Sequence, residues 1–138
     1  MQKKDLDEVV KIEEESFSEP WSKKAFLEMI EAKYAYYLVA VLDKQIIGSC
    51  GLRNIAGEGE ITNVAVKKEY RNRGVGFEML CKLLEQAERI GIKEFTLEVR
   101  QSNTKAIYVY EKLGFLKEGF RKKFYNDPCE DAVIMWKR

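Results

Sequence analysis

The most informative absence in this 138-residue sequence is histidine, which does not occur at all. Without histidine there is no Ser-His-Asp or Cys-His catalytic system and no HExxH zinc site. Cysteine is scarce too: Cys50, Cys81 and Cys129 are far apart and form no CxxC pair, so we expect no metal site. Any catalysis must therefore use carboxylates, tyrosine, cysteine, lysine or backbone groups.

Long apolar runs and an excess of one charge are also missing. The longest apolar run, residues 34–42, is too short to span a bilayer, and the polar start of the chain is not a secretion signal. Lys and Arg number 24 against 23 Asp and Glu, which gives no electrostatic footprint for nucleic acid. We expect a cytoplasmic protein with free thiols that contacts neither membrane nor nucleic acid. The sequence specifies no oligomeric state.

The hydrophobic pattern predicts one mixed α+β domain over residues 1–138, a usual length for a single domain. Apolar residues at helical spacing predict two initial helices, capped by Asp5 and Ser22. These helices are followed by a hairpin (36–42 and 46–53), a strand with alternating side chains (60–66), a helix (75–90) and a strand (94–100). A helix capped by Ser102 or Asn103 and two closing strands complete the order ααββ-βα-βα-ββ.

A short segment rich in arginine and glycine, residues 71–76, lies between the third predicted strand and the long helix. Glycines there let the backbone approach a ligand, and the helix N-terminus offers unpaired N–H groups to an anion. Arg71 and Arg73 add positive charge, so a diphosphate would fit. A tight connection is the alternative for this motif alone, and it is not a Walker loop because no Gly-Lys-Ser/Thr follows.

The sequence around this segment resembles the GNAT family of N-acetyltransferases over nearly the whole chain, in order and with matching spacing. The motif Arg71-x-x-Gly74-x-Gly76 is similar to the family's acyl-CoA signature. Residues 61–66 resemble its central strand, and residues 103–115 resemble one of its later helices. Segments 17–22, 97–103 and 121–135 resemble the RimI class, which acetylates protein N-termini. The resemblance implies a GNAT fold, with a mixed, mostly antiparallel, splayed sheet flanked by helices.

The beginning of the sequence departs from the family pattern. The family normally opens with an edge strand before the first helix, whereas here Asp5 is the predicted cap and residues 1–4 are too few for a useful strand. We therefore expect either that the first edge strand is missing or that the start codon lies upstream of this Met.

The resemblance implies acetyl-CoA as the cosubstrate and no metal. The third strand would pair with the pantetheine arm, and a backbone N–H there would polarise the thioester carbonyl. The implied acetyl-CoA-binding residues are Val64, Ala65, Val66, Arg71, Asn72, Arg73, Gly74, Val75, Gly76, Phe77 and Asn103. The alternatives are an ordinary buried strand at 64–66 and a helix cap at Asn103.

Two residues are implied as catalytic in a direct attack within a ternary complex. Glu98 matches the family's general base, and Tyr110 is the candidate acid for the departing thiolate. An α-amino group has a pKa of about 7.7–8.0 and a lysine amine one of about 10.4, so an N-terminal amine needs less help from a base. That suits a protein without histidine. The alternatives are a solvated glutamate and a core tyrosine.

The implied substrate is a protein N-terminus, for the bacterial class the N-terminal alanine of a small-subunit ribosomal protein. The predicted substrate-binding residues are Phe17, Pro20, Trp21, Arg121, Phe124 and Tyr125. Loop packing is the alternative for these residues, and Trp21 is the one best suited to the core. Phe124 stands where the class usually has a second tyrosine. Two other functions stay open: acetylation of a lysine or a small amine, and CoA binding without turnover.

Overall fold

A computed structural model describes residues 1–138, with four α-helices and six β-strands in the predicted order. The helices are α1 (Leu6–Ser16), α2 (Lys23–Glu31), α3 (Val75–Arg89) and α4 (Thr104–Lys112). The strands are β1 (Ala35–Leu42), β2 (Gln45–Ile55), β3 (Glu58–Val66), β4 (Glu94–Arg100), β5 (Leu116–Tyr125) and β6 (Glu130–Lys137). None of the helices combines the length and apolarity needed to cross a bilayer.

The six strands form one open sheet in the order β1-β2-β3-β4-β6-β5. Every neighbouring pair is antiparallel except β3 and β4, which run parallel. The predicted fold class, a mixed and mostly antiparallel sheet flanked by helices, is confirmed. No strand precedes α1, so β1 is an edge strand of the sheet.

Strands β3 and β4 separate soon after they meet. Their pairing runs from Glu58 opposite Glu94 to Glu60 opposite Thr96 and then stops. Beyond this point the facing edges of both strands carry backbone groups with no partner strand, and such groups need another hydrogen-bonding partner. We call this gap the β3–β4 cleft, and it positions the candidate site.

A β-bulge in β3 decides which side chains face which layer. Gly51 of β2 lies opposite Asn63 and Leu52 lies opposite Ile61, so Thr62 is the extra residue. Ile61 and Val64 therefore both pack on the large core cluster, whereas Asn63 bonds to α1. The predicted alternation over 60–66 is seen in burial, since Ile61, Asn63 and Ala65 are buried, but the bulge places Ile61 and Asn63 on opposite faces of the sheet.

The two faces of the sheet are covered unequally. Helix α3 packs on β1–β3, and residues of α3 and α4 share one large cluster with the inward side chains of β4. On the opposite face, α1 and α2 pack on β1–β3. The side chains of Thr96, Glu98 and Arg100 project to that second face and are only half-buried. The catalytic candidate on β4 is therefore accessible from that face.

One predicted helix cap is observed and another is wrong. The Ser22 Oγ atom accepts a hydrogen bond from the Ala25 N–H at 3.1 Å, as expected for the start of α2. Asp5 itself has helical backbone angles, because a 3-10 turn (Lys3–Asp5) precedes α1. Its carboxylate accepts the backbone N–H of Gln2 at 2.8 Å instead of capping α1.

Candidate active site

A groove of about 430 Å³ lies along the end of β3, between the end of α1, the loop before α3, and α4. It brings together ten of the residues predicted to bind acetyl-CoA: Val64, Ala65, Val66, Arg71, Asn72, Gly74, Val75, Gly76, Phe77 and Asn103. Arg73 does not line it, and its guanidinium carbon lies 5.5 Å from the centre of the Tyr70 ring. The segments that the motifs singled out thus form one surface.

The N-terminus of α3 opens into this groove. Gly74 precedes the helix in the left-handed region (φ 81°), where glycine carries little strain, and no side chain caps the helix. The Glu78 N–H bonds to the Gly74 carbonyl, so the N–H groups of residues 75–77 have no acceptor within the helix. These donors, with the positive end of the helix dipole, form a site for an anion.

Gly76 leaves space that the fold itself does not fill. A Cβ atom added at Gly76 would meet only the Val66 side chain, at 3.8 Å, which is ordinary contact. A Cβ at Gly74 would meet no atom within 4 Å. Packing within the chain therefore does not require a glycine at position 76, and the open space belongs to the groove.

The side chains beside these backbone donors are largely occupied by the protein itself. Arg71 donates from Nε to the Val66 carbonyl at 2.9 Å and from Nη2 to the Ser16 Oγ at 3.0 Å. The Asn103 Oδ1 accepts the Ala106 N–H at 3.2 Å, so Asn103 caps α4 while it lines the groove. Arg71 and Asn103 therefore have structural roles, and the groove relies mainly on backbone groups.

Tyr110 lies on the α4 side of the cleft. Its side chain lines the groove but is only 8% exposed, and its ring centre lies 6.0 Å from that of Phe115. Burial raises the pKa of the Tyr110 phenol well above its usual range, and nearby Tyr125 and Cys50 raise it further. The phenol is therefore neutral at physiological pH and can act as a hydrogen-bond donor.

Glu98 approaches the cleft from the other face of the sheet and does not line the groove. Its Oε1 atom lies 3.1 Å from the Arg121 Nε, and the side chain is 27% exposed. Its Oε2 atom is buried without a hydrogen-bond partner. Burial raises the pKa of Glu98, Arg121 lowers it, and Glu60 raises it slightly. This carboxyl group is thus both reachable and more basic than a solvated glutamate.

The residues predicted to bind substrate do not form one surface. Phe17 lines the groove, whereas the Trp21 ring packs 5.4 Å from Phe26 in the small core beneath α2. Pro20 is exposed. The other three lie on β5, where Arg121 pairs with Glu98. The centre of the Phe124 ring lies 5.8 Å from the guanidinium carbon of Arg121 and 5.0 Å from the centre of the Tyr125 ring. The Trp21 ring therefore packs against the core, which is the alternative stated for it, and its assignment to substrate binding stays a prediction.

The sequence patterns did not single out two charged residues near the cleft. Arg100, at the end of β4, donates four hydrogen bonds to groups far along the chain. Glu13, on α1, is 2% exposed and accepts a hydrogen bond from the Asn63 Nδ2 at 3.0 Å. Desolvation raises the pKa of Glu13 to about 7, while the bond from Asn63 opposes the shift. Glu13 follows Val9 on the buried stripe of α1, which was the available signal.

The sequence analysis predicted no binding role for six other groove residues, although three of them lie in the segment 103–115. These residues are Ser16, Tyr70, Leu80, Lys105, Ala106 and Val109. They reach the groove because α1, α3 and α4 converge on the cleft, which is a property of the tertiary fold.

Two bacterial proteins show the similarity of this chain to known enzymes. A Bacillus subtilis protein provisionally named ribosomal protein bS18-alanine N-acetyltransferase is 39% identical over 137 residues, which is 99% of this chain and 91% of that protein. The Escherichia coli K12 ribosomal protein bS18-alanine N-acetyltransferase is 32% identical over 133 residues, covering 95% of this chain and 89% of the relative.

Solved structures and a family comparison agree with these relatives. The crystal structure of the Escherichia coli ribosomal-protein-S18-alanine N-acetyltransferase superposes with a TM-score of 0.91 at 29% identity, covering 99% of this chain and 89% of that one. A Bacillus anthracis protein provisionally named streptothricin acetyltransferase, in complex with acetyl-CoA, superposes with a TM-score of 0.73 at 28% identity, covering 82% of this chain and 67% of that one. The Acetyltransferase (GNAT) family model matches residues 6–115. The resemblance predicted from the motifs is thus confirmed, and this chain belongs to the GNAT family of acetyltransferases.

Proposed function

We propose that this protein transfers the acetyl group of acetyl-CoA to the α-amino group of a protein N-terminus, with the N-terminal alanine of a ribosomal protein as its substrate. The substrate follows the names of the relatives, which act on ribosomal protein bS18. One domain over residues 1–138 carries the activity, because strands from the whole length contribute to one sheet. Its place of action is the cytoplasm, where ribosomal proteins are made and where three free thiols stay reduced.

The observation that carries this proposal is the unpaired edge of β3 leading to the uncapped N-terminus of α3. Edge backbone groups of Val64 to Val66 are suited to an extended, amide-containing chain such as a pantetheine arm. The N–H groups of residues 75–77 are suited to its pyrophosphate. The space beside Gly76 lets that phosphate approach the backbone closely. Bound acetyl-CoA would supply an activated thioester at the centre of the cleft.

The two catalytic candidates then act from opposite faces of the sheet. Glu98 accepts a proton from the attacking amine, directly or through one water, since its raised pKa makes it a better base. Tyr110 donates a hydrogen bond, and finally its proton, to the sulfur that leaves. A backbone N–H of β3 donates to the thioester oxygen and stabilises the charge that develops there.

The experiment that tests the function is an acceptor panel with release of free CoA thiol as the readout. Four acceptors are compared: a peptide that begins with alanine, the same peptide with a blocked α-amine, the blocked peptide with one lysine, and a small diamine. We expect thiol release with the free α-amine peptide alone. Mass spectrometry of the product places the acetyl group on the terminal nitrogen.

The other outcomes identify the alternative functions. Equal release with the lysine peptide or the diamine means a lysine or small-amine acetyltransferase, and our proposal is then wrong. No release with any acceptor, although acetyl-CoA binds by calorimetry, means a CoA-binding module without turnover.

A further inference from the structure

Arg100 contacts both loops that border the face of the cleft on which Glu98 lies. Its Nη2 atom donates to the Ser18 Oγ at 3.3 Å, in the loop between α1 and α2 (residues 17–22). The same atom donates to the Asn126 carbonyl at 2.9 Å, in the loop between β5 and β6 (residues 126–129). The Nη1 atom donates to the Pro128 carbonyl at 2.9 Å and to the Glu130 Oε1 at 3.2 Å. One side chain therefore spans two loops that have no sequence proximity.

These contacts come from both terminal nitrogens of the guanidinium group. Its two terminal nitrogens carry four N–H donors, and the four acceptors named above match that number. A lysine in this position has a single nitrogen and no planar fork, so it cannot reach acceptors on both loops at once. The contact therefore depends on the shape of the arginine side chain as well as on its charge.

The guanidinium group is itself held in place. Its central carbon lies 4.5 Å from the centre of the Tyr125 ring, a cation–π arrangement. The Glu130 side chain that pairs with Arg100 also accepts the Ser102 N–H at 2.6 Å through its second oxygen. The side chain of Arg100 is only 24% exposed. A fixed, partly desolvated anchor of this kind can hold loops in one arrangement.

We propose that Arg100 is a positioning residue for the acceptor substrate, which sets the separation of the loop at 17–22 and the loop at 126–129. Glu98 lies two residues earlier on the same face of β4, which places the loops that Arg100 holds beside the approach to Glu98. Arg100 touches neither the amine nor the thioester. The inference rests on the proposed function for its substrate, but the bridge between the loops can be measured without turnover.

The kinetic test uses Arg100→Gln and Arg100→Lys, with Arg89→Gln as the matched control, since Arg89 pairs with Glu85 on the exposed face of α3. For both Arg100 variants we expect a KM for the acceptor peptide raised about tenfold and a KM for acetyl-CoA within twofold of the parent. An unchanged acceptor KM, equal rises in both KM values, or full recovery in Arg100→Lys overturns the proposal.

The second test measures amide hydrogen exchange in the free protein, so it does not depend on the acceptor being known. We expect exchange in both loops to rise together in Arg100→Gln and to stay unchanged in Arg89→Gln. A rise confined to residues 126–129 overturns the bridging role. Ser18→Ala removes only the contact to the first loop and should raise exchange in residues 17–22 alone. If the parent protein acetylates no peptide while both loops loosen together, the proposed function fails and the loop bridge stands.

Discussion

The two sides of the β3–β4 cleft each hold one carboxyl group whose pKa burial raises, and the two groups have different surroundings. Glu13, behind β3, is 2% exposed and meets the neutral amide of Asn63. Glu98, on β4, is 27% exposed and pairs with the cation of Arg121. Each has one buried oxygen without a hydrogen-bond partner. The difference therefore lies in access to solvent and in the neighbouring charge.

That difference separates a structural carboxyl group from the proposed catalytic base. The Asn63 Oδ1 atom accepts a hydrogen bond from the Tyr37 hydroxyl at 3.1 Å. The same hydroxyl forms a hydrogen bond with the Thr62 Oγ1 atom at 2.5 Å. This network joins α1 to the bulge of β3, and none of its residues lines the groove. Glu98 can exchange protons with solvent and with a bound amine, and the charge of Arg121 opposes the rise in its pKa. The comparison predicts that Glu13 governs stability and Glu98 governs turnover.

The largest expected effect is on turnover in Glu98→Gln. The amide has the shape of the carboxyl group but cannot accept a proton from the amine, so kcat should fall by about 10²–10⁴-fold. The KM for acetyl-CoA should stay within twofold, because Glu98 does not line the groove. Steady-state kinetics with the alanine peptide measures both constants.

Glu94→Gln is the control for this variant. Glu94 projects from the same face of β4, at the end remote from Arg100, and should leave kcat unchanged. A Glu98→Gln enzyme with at least half of the parental kcat would show that Glu98 is not the base.

The next effect is on stability in Glu13→Gln. The pKa of Glu13 rises from 4.5 to about 7 on folding, so the folded state binds this proton more tightly than the unfolded state. The stability that this proton binding contributes is complete below pH 4.5 and is lost as the pH rises through about 7. The free energy of unfolding then falls by about 3 kcal/mol. Glutamine does not ionise, so the Glu13→Gln variant does not lose this stability. It should be about 2–3 kcal/mol more stable than the parent protein at pH 8.

Urea unfolding at pH 5, 6, 7 and 8 measures the difference. The Tyr37 hydroxyl beside Glu13 does not titrate in this window, because desolvation raises its pKa to about 12. Glu14→Gln, on the exposed side of the same helix, should follow the parent at every pH. Parallel curves for Glu13→Gln and the parent would refute the assignment.

The two sides of the cleft also differ in how far the sequence predicts them. The groove side follows from local signals: glycines before α3, a cap at Asn103 and the alternation of β3. The residues that organise the other side act over long distances. Glu13 lies on the buried stripe of α1 and Arg100 in the segment 97–103, but no local pattern identifies the groups that they contact. Glu13 and Asn63 are 50 residues apart, and Arg100 and Ser18 are 82 apart. The bulge at Thr62 likewise follows from pairing with β2, and no glycine or proline in β3 near Thr62 marks it.

The smallest expected effect, and the sharpest test of the comparison, is a shift in the pH profile of Arg121→Gln. The guanidinium group of Arg121 stabilises the carboxylate of Glu98, so its removal raises the pKa of Glu98 further. A general base must be deprotonated, so the acid limb of the kcat profile should move to higher pH, whatever the height of its plateau. Lys122→Gln, the neighbouring exposed cation on β5, is the control and should leave the limb in place. If both variants move the limb equally, the general positive charge of β5 sets the pKa of Glu98. The contrast between Glu98, which has an ion pair, and Glu13, which has none, then loses its physical basis.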